Sequence, residues 1–406
     1  MLVPGLTLRK GWVERLPQPA PETDLRAALV RLVTDLSRTG EVEVRDLPAP
    51  GEEDHEALVR RVARAVPCRV LAALSDEDKA RRLLRSGVRK LVLSSQFPRD
   101  LLSRLPRART LVALRTPDGR QCFADGPGDR MRPTLEWMQV LAPYCSGFRL
   151  SFEDAEGRPL PVDLHAVGVL AGSLNVEFTV AGQVRSVEEV RALDRLGCDV
   201  VADEALAEGW FSPAEALEAC LDFPGNRLPL VLVDRSGQVL RLVTLDREAF
   251  RAALDQGYLD FRRPEDVLCR DCQEACTGLT TLVRVLPDCR RNAAVLVVEG
   301  ALPGCRRGRY SCFGSGAREF SLHRLYEIIA ARRADPRPGS YSSFLFEKED
   351  RIPRKLTEEM FELLTARGRE DLTWEAADVI FFLLAYLVRH EVTLDEVVAE
   401  LGGRER

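Results

Sequence analysis

The sequence predicts a three-part chain: an alternating β/α region built on a parallel sheet, an α+β region, and an all-helical C-terminal region. Three observations carry this. Strand and helix signals alternate over the first ~220 residues, strand signals dominate ~226–312, and apolar spacing is helical over ~318–402. The chain has 406 residues, 45% hydrophobic and 30% charged, which is globular composition with room for two to three domains. It carries 58 basic and 63 acidic residues. A nucleic-acid or anionic-membrane binder would lean basic, so neither partner is expected.

The elements follow in order. Leu25, Leu29, Leu32, Val33 and Leu36 recur at helical spacing. Cys68-Arg-Val-Leu-Ala-Ala-Leu reads as a strand, Glu77 to Leu84 as a helix, and Val88-Arg-Lys-Leu-Val-Leu as a strand. Val176 to Ala181, Val187 to Leu196 and Asp199-Val-Val-Ala repeat the strand–helix–strand pattern, which argues for right-handed βαβ units. In the middle region strands are expected over 229–234, 237–243, 281–286 and 293–299, with a helix at Arg247 to Leu254. Gly314-Ser-Gly reads as a linker. Helices follow at Leu322 to Arg333, Leu356 to Ala366, Trp374 to Arg389 and Leu394 to Leu401, the last capped by Thr393 with Glu396 three residues on.

Eleven cysteines divide into five scattered ones and six between 269 and 312: Cys269, Cys272, Cys276, Cys289, Cys305 and Cys312. A chain this long needs no disulfide staples, and Met1-Leu-Val-Pro-Gly has no leader-like pattern. The expectation is a cytoplasmic protein with reduced thiols whose local cysteine cluster suggests metal. The longest apolar run, Val379 to Val388, is too short for a membrane span.

The strongest chemical signal is Glu358-Glu359-x-x-Glu362 followed by Glu375-x-x-Asp378. On helices, each set falls on one face. Asp378 opens a helix apolar on every side, which should be buried. Carboxylates there repel one another and lose solvation unless cations compensate, and hard oxygen donors in this number suit Mg²⁺ with a phosphate-bearing substrate.

Ser340-Tyr-Ser-Ser-Phe-Leu-Phe, Lys355-Leu-Thr-Glu-Glu-Met-Phe-Glu and Trp374-Glu-Ala-Ala-Asp resemble the phosphoribosyl-ATP pyrophosphohydrolase family over about 85 residues. The resemblance implies an all-α, Mg²⁺-dependent domain that assembles as a homodimer and hydrolyses the α–β phosphoanhydride of phosphoribosyl-ATP in histidine biosynthesis. Glu358, Glu359, Glu362, Glu375 and Asp378 would be metal ligands or water activators. Lys355, with Arg351 or Arg354, would meet phosphates. Phe381-Phe382 departs from the Tyr-His of many relatives.

Val231-Leu-Val-Asp-Arg-Ser-Gly, Asp288-Cys289, Gly304-Cys305 and Ser311-Cys312-Phe313 resemble the phosphoribosyl-AMP cyclohydrolase family. That resemblance implies Zn²⁺ on Cys289, Cys305 and Cys312. The family's Asp-Cys-Asp-x-Asp motif for Mg²⁺ reads Asp288-Cys289-Arg290-Arg291-Asn292 here, and Arg306 replaces a histidine. The Cys269-x-x-Cys272-x-x-x-Cys276 set is an addition that could hold Zn²⁺ or an iron–sulfur cluster.

Val180-Ala-Gly-Gln to Val201, with Ala205 to Leu217, resembles the seventh and eighth units of the phosphoribosylformimino isomerase family, which implies a (β/α)₈ barrel. Its two catalytic aspartates, on the first and fifth strands, align with Thr7 and Ser151, and its twin-glycine phosphate loop with Gly182-Gln183. The whole arrangement resembles the N-terminal half of the fungal trifunctional histidine-biosynthesis enzymes. The expected domains are 1–223, a degenerate barrel; 224–314, cyclohydrolase-like; and 315–406, the pyrophosphohydrolase. The alternatives are a bifunctional enzyme that also opens the adenine ring, and a non-catalytic scaffold or regulatory pseudoenzyme.

Overall fold

The computed structural model describes residues 1–9, 12–14, 24–48, 54–72, 74, 76–95, 97–123, 131–260, 279–299, 310–313, 318–337 and 339–402. Cys269, Cys272, Cys276, Cys305, Arg306 and the 314–316 linker lie outside them. The chain divides into two compact units, Met1–Gly316 and Ala317–Gly402.

The first unit opens with eight parallel strands: β1 (Leu2–Arg9), β2 (Val42–Asp46), β3 (Cys68–Ala72), β4 (Lys90–Ser94), β5 (Thr110–Thr116), β6 (Gly147–Phe152), β7 (Glu177–Ala181) and β8 (Cys198–Ala202). They pair in sequence order, and β8 returns to β1 with Leu2 opposite Val200, which closes the barrel. Helices α1 (Leu25–Leu36), α2 (Glu56–Ala65), α3 (Glu77–Arg85), α4 (Arg99–Leu102), α5 (Thr134–Leu141), α6 (Leu164–Ser173), α7 (Val187–Arg195), α8 (Glu204–Glu208) and α9 (Pro213–Cys220) fill the crossovers and follow β8. Outward strand residues such as Leu6, Val44, Val70, Phe148, Val180 and Val200 form the main core with helix residues such as Leu29, Val33, Val59, Leu83, Leu170 and Val190. Gly5 is needed where it stands, because a Cβ there would come within 2.6 Å of Val201 Cγ1.

The interior of this barrel is ionic. Glu43 on β2 is fully buried and accepts from Arg149 Nε on β6 at 3.0 Å, across the barrel rather than between neighbouring strands. Arg45 donates to Glu43 at 3.0 Å and to Asp203 at 2.6 Å. A second layer joins Arg69 to Glu41 at 2.7 Å, Thr179 at 2.7 Å and Asp199 at 2.8 Å. Burial would raise the Glu43 carboxyl, but Arg149 and then Arg45 outweigh it and hold it at about 2.

Two expectations are settled here. Thr7 lies toward the end of β1, as aligned. Ser151 lies on the sixth strand, not the fifth, and accepts from Arg149. The fifth strand, Thr110–Thr116, contains no carboxylate at all. The Gln183 amide donates to the Leu160 carbonyl at 2.9 Å, so this backbone donor of the former phosphate loop is engaged within the protein.

The unit continues with β9 (Leu228–Val233), β10 (Val239–Leu245), α10 (Arg247–Gln256), β11 (Tyr258–Asp260), β12 (Leu279–Pro287) and β13 (Ala294–Glu299), a five-stranded sheet ordered β10-β9-β13-β12-β11. Its core takes in Ala214, Leu217 and Leu221, from α9 and its end, while Ala216 and Cys220 of the same helix belong to the barrel core. Helix α9 is thus a wall shared by barrel and sheet.

The turn between β12 and β13 supplies a second tie. Arg291 has a left-handed φ of 60°, and its guanidinium grips Asp194 of α7 at 2.7 and 2.8 Å. The Asp194 side chain is 3% exposed and also meets the Met1 amino group at 2.9 Å. Arg291→Ala leaves a buried carboxylate short of its main partner. It is expected to destabilise the first unit by about 2–3 kcal/mol, measured as the shift in a urea unfolding midpoint; a change below a few tenths would reject the tie.

The second unit is all helical: α11 (Leu322–Ala334), α12 (Tyr341–Phe346), α13 (Arg351–Thr365), α14 (Arg369–Arg389) and α15 (Leu394–Gly402). The Thr393–Glu396 capping pair forms as read from the sequence, with Thr393 N to Glu396 at 2.8 Å and Glu396 N to Thr393 Oγ1 at 3.2 Å. Among the described residues, no helix is long and apolar enough to cross a membrane.

Candidate active site

Helices α13 and α14 form a hairpin closed by Ala366, Arg367 and Gly368, the last with the left-handed φ of 96° that glycine tolerates. Ile352 of α13 is fully buried in the helical core. Glu359, seven residues on, falls on the same face and is buried with it. On α14, Asp378, Phe382 and Ala385 continue one stripe, preceded by Glu375. One helix seam is therefore apolar at one end and acidic at the other.

At the acidic end, oxygens of Glu359, Glu375 and Asp378 all lie within 4.8 Å of one another. Glu375 Oε2 is closed off from solvent with no hydrogen-bond partner. Burial raises the Glu359 carboxyl above the usual glutamate range; Lys355 opposes this and Asp378 and Glu362 reinforce it. Glu375 is raised too, first by lost solvation and then by Glu362, Glu359 and Asp378. Lys355 Nζ stands 3.0 Å from Glu358 and 3.5 Å from Glu359. One lysine does not balance five carboxylates. A cluster of converging oxygens, one of them buried and unpartnered, fits a hard divalent cation.

All five predicted carboxylates lie on this hairpin: three converge, and Glu358 and Glu362 flank them, exposed. The predicted phosphate residues divide. Lys355 is at the cluster. Arg351 is turned to Glu347 at 2.9 Å and to the Phe344 ring at 3.6 Å. Arg354 is 80% exposed, 3.7 Å from Asp350. The apolar stretch after Asp378 is buried on one face only: Phe382, Leu384, Ala385 and Val388 are covered, whereas Ile380 and Leu383 are exposed. The expectation of burial all round is corrected to that extent, because four short neighbours cannot surround a 21-residue helix. Sequence reasoning also missed Tyr341, which stacks on Phe381 at 6.3 Å between centroids.

The raised carboxyls set the sign of the pH response. A carboxyl whose folded value lies above its unfolded value contributes stability at low pH, and that contribution is lost as pH rises through the folded value. Without metal, the helical unit is expected to melt higher at pH 5 than at pH 8, and Mg²⁺ is expected to reverse the order. Identical pH profiles with and without Mg²⁺ would argue against cation binding here.

The cysteine set is less complete. Cys289 and Cys312 are exposed, and Cys305 lies outside the described residues. Asp288, the one acid retained from its motif, accepts the Asn292 and Ala293 amides at 2.9 and 3.0 Å and so builds its own turn. Among the described residues, Glu359, Glu375 and Asp378 make up the one group of three acidic, His or Cys side chains placed to hold a metal.

Comparison with known proteins reaches the same helices. The family model for phosphoribosyl-ATP pyrophosphohydrolase matches residues 322–405. The histidine biosynthesis bifunctional protein HisIE of Pyrococcus furiosus is 34% identical over 191 residues, 44% of this chain and 91% of that protein. The HisIE protein of Halalkalibacterium halodurans is 32% identical, covering 44% and 92%. The histidine biosynthesis trifunctional protein of Komagataella pastoris is 26% identical over 332 residues, 80% of this chain and 36% of that protein. The HisIE matches span about twice as many residues as the family-model match. On the coverage and identity of these matches, the chain belongs to the family of histidine biosynthesis bifunctional HisIE proteins.

Proposed function

We propose that the helical unit hydrolyses phosphoribosyl-ATP to phosphoribosyl-AMP and pyrophosphate with Mg²⁺ held by Glu359, Glu375 and Asp378. The convergence of those three carboxylates carries the reading. Bound there, Mg²⁺ would neutralise phosphate charge and make water more acidic. Glu358 and Glu362, exposed beside the cluster, are placed to orient the attacking water. Lys355 is placed to offset charge on the departing pyrophosphate. Arg351 and Arg354 approach phosphate only by leaving Glu347 and Asp350. Met360, Phe361, Leu364, Leu372 and Trp374 are all at least half exposed on the same hairpin, which supports a homodimer burying this surface. The free thiols among the described residues fit a cytoplasmic protein.

A second reading, opening of the adenine ring by residues 224–314 with Zn²⁺ on Cys289, Cys305 and Cys312, is favoured by the reach of the HisIE likeness. Against it stand Arg290, Arg291 and Asn292, with Arg291 committed to Asp194. The test is pyrophosphate release from phosphoribosyl-ATP by the full chain. Release with Mg²⁺ that EDTA abolishes is expected; release unaffected by EDTA would remove the metal from the account.

A further inference from the structure

A second feature of the helical unit is a cleft of about 1,070 Å³ between the end of α11, α12 and the end of α14. Arg333, Arg337, Arg389 and His390 line it, against Glu347 and Glu349. Glu347 is already paired with Arg351 at 2.9 Å. Arg389 is held in place by donating to the Lys348 carbonyl at 2.9 Å, and Arg333 by donating to the Val388 carbonyl. Arg337 is exposed and, among the described residues, has no acidic partner. Arg333 also pairs with Glu391 at 3.4 Å, so among the described residues the cleft's cations without an acidic partner are Arg337 and Arg389, planar guanidinium groups of the kind that suit a phosphate dianion.

Its position relative to the carboxylates is fixed by α14. Arg389 lies eleven residues beyond Asp378, a rise of ~16 Å along the helix. Tyr341 connects the two, since it lines the cleft and stacks on Phe381, which follows Asp378 by three residues on α14. A ligand with one anionic group at the metal cluster and another at the cleft must be long and doubly anionic. Phosphoribosyl-ATP has that form: a triphosphate at one end and, beyond two riboses and a purine, a single phosphate monoester at the other.

Resting on the function proposed above, we infer that the Arg333–Arg337–Arg389 cleft binds the remote 5′-phosphate of phosphoribosyl-ATP and selects it over simple nucleoside triphosphates. Arg337 is the residue to change, because it is exposed and holds no other element in place. The full chain is assayed with phosphoribosyl-ATP and with the same compound lacking that 5′-phosphate. Arg337→Glu is expected to raise KM for phosphoribosyl-ATP about tenfold, with a smaller change in kcat and little effect on the dephosphorylated analogue. Arg337→Lys should keep part of the wild-type discrimination. Equal impairment on both compounds, or none on either, overturns the subsite while leaving the hydrolase reading intact. A wild-type chain that hydrolyses neither compound overturns both.

Discussion

Replacing Glu359 with glutamine is expected to lower pyrophosphate release from phosphoribosyl-ATP by roughly two to four orders of magnitude. The same change is expected to leave the metal-free helical unit folded and more resistant to heat at pH 8. Both effects have one origin. Glu359 occupies a core-facing position two turns from Ile352, where an apolar residue would normally pack, and it is held among Glu362, Glu375 and Asp378. Under the proposed reading its charge costs stability when no cation is present and supplies a ligand when one is. Glutamine keeps the shape and removes the charge, so the repulsion is relieved and the cation affinity falls. Loss of activity together with a lowered melting temperature would instead mark Glu359 as a structural residue. Full activity in the variant would remove it from the site.

The largest expected effect on stability lies in the barrel. Arg149→Met retains much of the side-chain volume but leaves Glu43, fully buried, with Arg45 as its remaining cation. Breaking a buried pair from one side is expected to cost about 3 kcal/mol at pH 7. The pH dependence identifies the cause. Glu43 is depressed from the ordinary 4.5 to about 2, so its contribution is complete above 4.5 and is lost as pH falls toward 2. The gap between wild type and variant should therefore narrow over that acid range in urea unfolding measurements. A gap that stays constant with pH would assign the loss to packing rather than charge.

Legibility in the sequence followed the range of the interactions involved. The carboxylate hairpin was readable because its residues recur at three- and four-residue spacing within two helices. The burial of Glu359 over Glu358 depended on its phase with Ile352, which the charge pattern alone does not reveal. Strands β7 and β8 were readable as near-continuous apolar runs. Strand β1 was obscured by Pro4 and Gly5, and β2 by Glu43 and Arg45, which point into an ionic interior where hydrophobic residues are the usual filling. The strand Thr110–Thr116 goes unread in the sequence, which puts Ser151 on the fifth strand rather than the sixth. The pairs that fill the barrel join residues 106 and 158 positions apart, and Arg291 reaches Asp194 across 97. No local pattern encodes such partners.

The same long-range contact explains the altered cyclohydrolase motif in physical terms. The loop that reads Asp288-Cys289-Arg290-Arg291-Asn292 has a backbone turn built by Asp288 and an anchor to the barrel made by Arg291. Arg291 joins two layers of one unit and Asp288 shapes the turn, and the cluster best arranged for hydrolytic chemistry among the described residues is the carboxylate set of the α13–α14 hairpin.

The most direct measurement is incubation of the full chain with phosphoribosyl-ATP and Mg²⁺, reading pyrophosphate and opening of the adenine ring separately. One pyrophosphate per phosphoribosyl-ATP consumed is expected, with phosphoribosyl-AMP accumulating because ring opening is slower or absent. No pyrophosphate in the presence of Mg²⁺ would contradict it.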